Sequence, residues 1–329
     1  MWVPVRFLKG LLKRMRFTPG LVGLSALQRA QATSGESTTS MIIGALLLVL
    51  AASSLAGCSA IKIGYNQAPE LGYWYLDDYV DFTGEQSLQI KAELTRLQAW
   101  HRQTQLPIYA ELLQTLQKQA EGDASPAQAC ATFAELKRGF MSIAERVEPS
   151  AAMLVASLDA SQLENIEKEL AKGNTEYRKD SLEGSPQDIR SRRLKQAVKR
   201  AQNLYGKLDD QQVQALQKLL DRSIFDARRS YAERLRRQQD ALQTMRSLAA
   251  VSPGKENATA RSALRGLLER SITSPDGAYR KYSNQLADER CRMFAEFHNT
   301  TSPAQRAKAV ETLRAYEADV KQLISQGNT

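Results

Sequence analysis

The chain marks its helices by how they begin. Ser-Pro occurs at 125–126, 185–186, 252–253, 274–275 and 302–303, using five of the ten prolines. A serine N-cap accepts a hydrogen bond from one of the orphan N–H groups at a helix start, and proline in the next position has no N–H to leave unpaired. A second pattern overlaps the first. Thr83 with Gln86, Ser125 with Gln128, Asp159 with Gln162, Asp209 with Gln212, and Ser302 with Gln305 each place glutamine three residues after a capping residue, the spacing of a capping box. Apolar residues then follow at four-residue steps, as in Ile90 and Leu94, Ile166 and Leu170, or Leu216 and Leu220, which sets them on one helix face. No stretch alternates as a strand over several residues.

These signals predict an all-α protein, an elongated multi-helix bundle or array of about eight helices with no sheet. The expected helices cover 83–120, kinked or divided at Pro107, then 126–148, 150–182 with a weak point at Gly173, 186–206, 209–250, 255–272, 276–299 and 303–326. In the 209–250 segment Val213, Leu216, Leu220, Ile224, Ala227, Tyr231, Leu235, Leu242, Met245 and Leu248 keep three-or-four spacing, so one continuous buried stripe is expected there. The intervals between capping signals are uneven, which disfavours a strict repeat protein.

Ahead of the helical region the chain changes character. Residues 41–50 form an uncharged apolar run ending near Leu55, Ala56, Gly57 and Cys58, while Arg6, Lys9, Lys13, Arg14, Arg16 and Arg29 precede it against a single Glu36. The run is too short to span a bilayer, which takes roughly 20 apolar residues, and a basic stretch followed by a short apolar core and a small-residue site has the form of an export signal. The order Leu55-Ala56-Gly57-Cys58 resembles the lipobox of bacterial lipoproteins. That resemblance implies that residues 1–57 form a cleaved signal peptide, that cleavage falls between Gly57 and Cys58, and that Cys58 carries covalent diacylglycerol and an N-acyl chain. No other cofactor is expected. Some forty residues precede the apolar run, which implies either an extended leader or a start further along, at Met15. Ser59 is not the aspartate that holds such lipoproteins in the inner membrane, so the general sorting rule points to the outer membrane, facing the periplasm.

The formal charge of +9 is partly a property of this leader, which holds five of those charges. The remainder is concentrated between positions 178 and 237, where sixteen Lys and Arg face eight Asp and Glu. Arg192, Arg193, Lys195, Lys199 and Arg200 fall on one expected helix, and Arg222, Arg228, Arg229, Arg236 and Arg237 on the next. Antiparallel pairing across the short connection at Gly206 would bring them into one basic surface, suited to anionic lipid headgroups, acidic cell-wall polymers or acidic protein segments. A solvated helical face explains the same charges, and export places the chain where nucleic acid is scarce, so no nucleic-acid partner is expected.

Catalytic motifs are missing. His101 and His298 are the two histidines, and neither a metal-protease motif, a nucleophile elbow nor a phosphate-binding loop is present. His101 reads as a packing residue near Pro107, and His298 as a histidine at a helix C-terminus. Asp77, Asp78 and Asp81 read as acids around the first turn of a helix, with no calcium-loop spacing. Residues 58–80 read as a lipidated tether and aromatic docking segment, with Tyr73, Trp74, Tyr75, Tyr79 and Phe82 wedged into the core, and 81–329 as the helical domain. With Cys58 assigned to lipid, Cys130 and Cys291 remain, and both a disulfide and two separately buried thiols stay open.

Tyr65-Asn66, Trp74, Leu76-Asp77-Asp78-Tyr79, Gln86, Trp100-His101-Arg102 and Leu106-Pro107 with Tyr109 together resemble the N-terminal signature of an uncharacterised family of proteobacterial lipoproteins. The resemblance implies a helical envelope lipoprotein and supplies no activity. Leu158-Asp159 with Gln162, and Leu208-Asp209 with Gln212, are also similar to the short motifs of Spy/CpxP-type periplasmic helical proteins, with Asp where those have Thr. The expected function is non-catalytic binding of an envelope protein, an unfolded polypeptide or a cell-wall polymer. A carboxylate-dependent cell-wall hydrolase and a Spy-like chaperone are the alternatives.

Overall fold

A computed structural model of the chain describes residues 60–250 and 258–327. Among these residues there are eleven α-helices and no strand: α1 (Ala60–Asn66), α2 (Ala68–Val80), α3 (Gly84–Ala120), α4 (Pro126–Ala156), α5 (Ala160–Ser181), α6 (Pro186–Tyr205), α7 (Asp210–Asp221), α8 (Ala227–Ala249), α9 (Ala258–Ile272), α10 (Gly277–His298) and α11 (Pro303–Ser325). The all-α class expected from the capping chemistry is the class observed, with more helices than the eight expected. The chain divides into two compact units, Met1–Ile63 and Gly64–Thr329, and only residues 60–63 of the first are described. None of the helices among the described residues is long and apolar enough to cross a membrane.

All five expected capping boxes form, each with the cap side chain accepting from the third backbone N–H and the glutamine accepting from the cap's own N–H. A sixth forms at Ser185, where Asp188 takes the glutamine's place. Ser274 does not cap. Asp276 does, accepting from the Ala278 N–H, while Ser274 is buried and donates to Glu233. The Ser-Pro at 252–253 lies outside the described residues.

Four helix boundaries differ from the sequence expectation. The aromatic segment at 68–80 is itself helical, and Val80 packs with Leu158, Leu163, Ile166 and Leu242, with Tyr79 and Phe82 against them. Pro107 neither divides nor ends α3, and Pro149 lies inside α4, which runs on to Ala156; each costs one N–H to carbonyl bond and the helix continues. Asp77 and Asp78 therefore sit in the last turn of a helix rather than the first, and Asp77 accepts from the Phe82 N–H. The expected 209–250 helix is broken between Asp221 and Ala227. Glu289 of α10 accepts from the Ser223 hydroxyl and the Ile224 N–H at 2.7 and 2.8 Å, and the Tyr282 hydroxyl accepts from the Asp226 N–H at 2.8 Å. Groups on a distant helix replace the intrahelical partners, and Ile224, expected in the buried stripe, is exposed.

The glutamines of the capping boxes join helix starts in pairs. The Gln86 and Gln162 side chains exchange hydrogen bonds, and each amide also donates to the carbonyl two residues ahead of the other's cap, Gln86 to Ser157 and Gln162 to Asp81. Gln212 and Gln305 repeat the arrangement, with Gln212 donating to the Thr300 carbonyl and Gln305 to that of Lys207. Two clasps of the same design thus tie α3 to α5 and α7 to α11. Each sits beside its own core: Leu158, Leu163 and Ile166 at the first; Tyr205, Leu208, Leu216, Leu219, Phe297, Val310 and Leu313 at the second. A disulfide joins Cys130 of α4 to Cys291 of α10 across 161 residues of sequence.

Candidate functional site

Gly57 and Cys58, the expected cleavage and lipidation positions, lie outside the described residues. The remaining expected contacts can be followed side chain by side chain.

The basic residues separate into two groups. Arg192 donates to the carbonyls of Asp180 and Glu183, and the Arg193 guanidinium lies 5.1 Å from the Phe225 ring centre. Arg222 pairs with Glu296, and Arg229 donates to the Ala278 carbonyl while stacking over Tyr282. Arg236 and Arg237 both reach the buried Glu233, and Arg236 also reaches Asp240 and the Arg270 carbonyl. Burial by itself would raise the Glu233 carboxyl, but these two arginines hold it below its usual range. These arginines therefore serve the fold. Lys195, Lys199, Arg200 and Arg228 are different: all are exposed and make no side-chain hydrogen bond or ion pair within the described residues. Three of the four stand on α6, whose opposite face (Leu194, Ala197, Val198, Ala201, Leu204) packs on the core that contains Leu216 and Leu219.

Both histidines are structural in their contacts. His298 is buried, its Nε2 donating to the Gly122 carbonyl at 2.8 Å and its Nδ1 paired with the Tyr205 hydroxyl at 2.8 Å. Burial pushes the Tyr205 hydroxyl up to about 12. His101 pairs through Nδ1 with the Tyr65 hydroxyl at 3.0 Å, and burial lowers its pKa. The residues of the N-terminal signature converge here: Arg102 donates to Asn66 and stacks over Tyr65, and Tyr109 lies 5.6 Å from His101 by ring centres. Tyr109 also explains a glycine on the facing helix, since a Cβ on Gly139 would stand 2.5 Å from its hydroxyl. The aromatic docking segment is held by the fold as well. Tyr73 stacks on Phe82, bonds to the Ser87 hydroxyl and carries Lys91 4.3 Å above its ring.

A family of unknown function, DUF6279, matches residues 78–270. The chain belongs to that family. The DUF6279 match begins in the last turn of α2 and ends within α9, so it includes the whole Gln86–Gln162 clasp but only Gln212 of the second. No curated protein and no solved structure matches the chain.

Two surface features escaped the sequence reading of this DUF6279 chain. An open groove of about 710 Å³ runs between α5 and α8, lined by Leu170, Leu235 and Leu242 together with Asn174, Gln238 and Gln243. A smaller cavity of about 180 Å³, lined almost entirely by apolar atoms, lies between α3, α4, α6, α10 and α11, with Phe133 and Phe294 on its wall. The available signal was on α4, where Ala129, Phe133, Leu136 and Phe140 fall on one face; periodicity reports a stripe but not whether another element covers it. Among the described residues no group of His, Cys, Asp and Glu is placed to hold a metal ion.

Proposed function

We propose that this DUF6279 protein is a lipid-anchored envelope protein, held in the outer membrane through Cys58 and facing the periplasm, that acts by binding rather than catalysis. The observation that carries the reading is the order Leu55-Ala56-Gly57-Cys58 behind an apolar run with basic residues ahead of it. The Cys130–Cys291 disulfide supports it, because such bonds persist in oxidising compartments. Acyl chains contribute about 0.8 kcal/mol per buried CH₂, so two or more of them make release negligible.

The binding surface is the exposed face of α6. Lys195, Lys199 and Arg200, with Arg228 at the start of α8, present cations that the fold does not neutralise, suited to an acidic protein segment or an anionic envelope polymer. Two experiments separate anchor from surface. Palmitate labelling is expected to mark the wild type and not Cys58→Ser, which should stay uncleaved; an uncleaved, unlabelled wild type ends the anchor. Reversing Lys195, Lys199, Arg200 and Arg228 to Glu is expected to abolish salt-sensitive crosslinks in intact cells, and an unchanged crosslink pattern rejects the surface.

A further inference from the structure

The cavity of about 180 Å³ is bounded by Leu116 and Ala120 of α3, Ala129 of α4 and Leu313 of α11, and its wall ends at Phe133 and Phe294. Those two rings meet edge to face with centres 6.5 Å apart and are 44% and 40% exposed. An apolar cavity of about 150 Å³ is large enough to take up a benzene-sized group. From this opening an apolar stripe continues along α4. Ala129, Phe133, Leu136 and Phe140 stand at steps of four, three and four residues, on one helix face over roughly 16 Å of rise. Ala129 is buried at the cavity, while Leu136 and Phe140 are 46% and 52% exposed. The stripe is flanked by unneutralised cations. Lys137 lies one turn beyond Phe133 and Arg290 one turn before Phe294; both are exposed and neither makes an ion pair within the described residues. Among the described residues, the ion pair beside the stripe joins Arg138 to Glu135, within α4 itself.

The geometry points to a docking site on α4 and α10 for an acidic amphipathic helix of another polypeptide, which seats one apolar side chain against the Phe133–Phe294 pair at the rim of the cavity and lays its next turns on Leu136 and Phe140. The occupant follows from two features together. Anchors at helical steps match the apolar stripe of a helix laid in a groove, and unpaired Lys137 and Arg290 call for carboxylates along its edges. A small free solute would fill the cavity but would make no use of the stripe or the charges. The disulfide joins the two helices that form the site, through Cys130 one turn before Phe133 and Cys291 one turn before Phe294. This site is separate from the basic face of α6.

The test uses the full chain in phosphatidylcholine nanodiscs and three fluorescein-labelled peptides of about 18 residues, read by anisotropy: an amphipathic helix with Leu and Phe on one face and Glu on its flanks, its scrambled sequence, and the same helix with Lys in place of Glu. The acidic helix is expected to bind at least about ten-fold more tightly than either control, and Phe140→Ser or Leu136→Ser to remove that difference, as loss of a central apolar anchor does. Both side chains are half exposed, so circular dichroism of the variants should match the wild type. Joint reversal of Lys137 and Arg290 to Glu is expected to transfer the preference to the Lys peptide. Equal binding of all three peptides overturns the inference, as does a Phe140→Ser protein that binds like the wild type. So does a photo-crosslinker at position 140 that attaches to nanodisc lipid, which would make this a membrane-facing surface. Reversal of Lys195, Lys199 and Arg200 should leave peptide binding unchanged, so failure of one surface is distinguishable from failure of the other.

Discussion

The two glutamine clasps share the amide exchange and the two donations to carbonyls ahead of the caps, and differ in what surrounds them. At the first, Gln86 and Gln162 are both buried, and Leu158 and Leu163 straddle the cap as a hydrophobic staple within one small core. At the second, Gln212 is buried but Gln305 is partly exposed, and Leu208 with Val213 forms the staple of a larger core drawn from α3, α6, α7, α10 and α11. The second clasp also has neighbours the first lacks: His298 bridging Tyr205 to Gly122, and the disulfide holding α10 to α4. Shared local chemistry thus supports two differently built ends. The hydrogen bonds fix how the helix starts meet; the surrounding apolar area sets how much each end depends on them.

The largest expected difference lies at the disulfide. It closes a loop of 161 residues, and its removal by Cys130→Ser with Cys291→Ser should lower stability by about 4–5 kcal/mol. Native-state hydrogen exchange should show protection falling more around Gln212 than around Gln86; equal losses at both clasps would mean the two ends do not respond separately. Next come the staples. Leu158→Ala and Leu208→Ala should each cost about 2–5 kcal/mol in denaturant unfolding, because both side chains are buried and each deletion leaves a cavity.

The clasps themselves should separate further. Gln162→Ala removes the partner of the Asp159 N–H and of the Asp81 carbonyl and one of the partners of the buried Gln86 amide, for a loss of about 2–3 kcal/mol. Gln305→Ala should cost about 1 kcal/mol, since water can reach the groups it leaves behind. Matching losses would show that burial does not distinguish the two.

The smallest effect is acid sensitivity at the first clasp. The Ser161 hydroxyl, followed by the Gln162 N–H, holds the Asp159 carboxyl below its usual range. Its contribution is therefore fully present above the ordinary carboxylate pKa and is lost as pH falls through the lowered one. Asp159→Asn should flatten that part of the pH–stability curve, below the ordinary carboxylate pKa, and a curve that keeps its slope would place the acid sensitivity elsewhere. Glu317 is one such place, since Lys321, Gln117 and Gln114 hold its carboxyl down at about 2.

The candidate surfaces were legible to different degrees. The cations of α6 could be read directly, because composition and spacing suffice to put Lys195, Lys199 and Arg200 on a helix. That Arg222 is taken up by Glu296 could not be read, since the two are 74 residues apart, whereas Glu233 with Arg237 and Arg236 with Asp240 stand four residues apart on one helix, a spacing the sequence already contains. The exposed Phe133, Leu136 and Phe140 were equally illegible. Their spacing is that of a core stripe, and only the positions of the other helices leave it uncovered.

Sequence alone determined the helical class and six helix starts, because a cap and its glutamine or aspartate act within four residues of each other. It also contained the glutamines of both clasps, without naming their partners. Tertiary structure decided which starts meet, and it decided the break after Asp221. There the local pattern favours continued helix, and Glu289 and Tyr282 offer the backbone other partners. A pattern of period 3.6 records what one helix can bury, whereas the choice between burial, exposure and interruption belongs to whatever the rest of the chain brings against it.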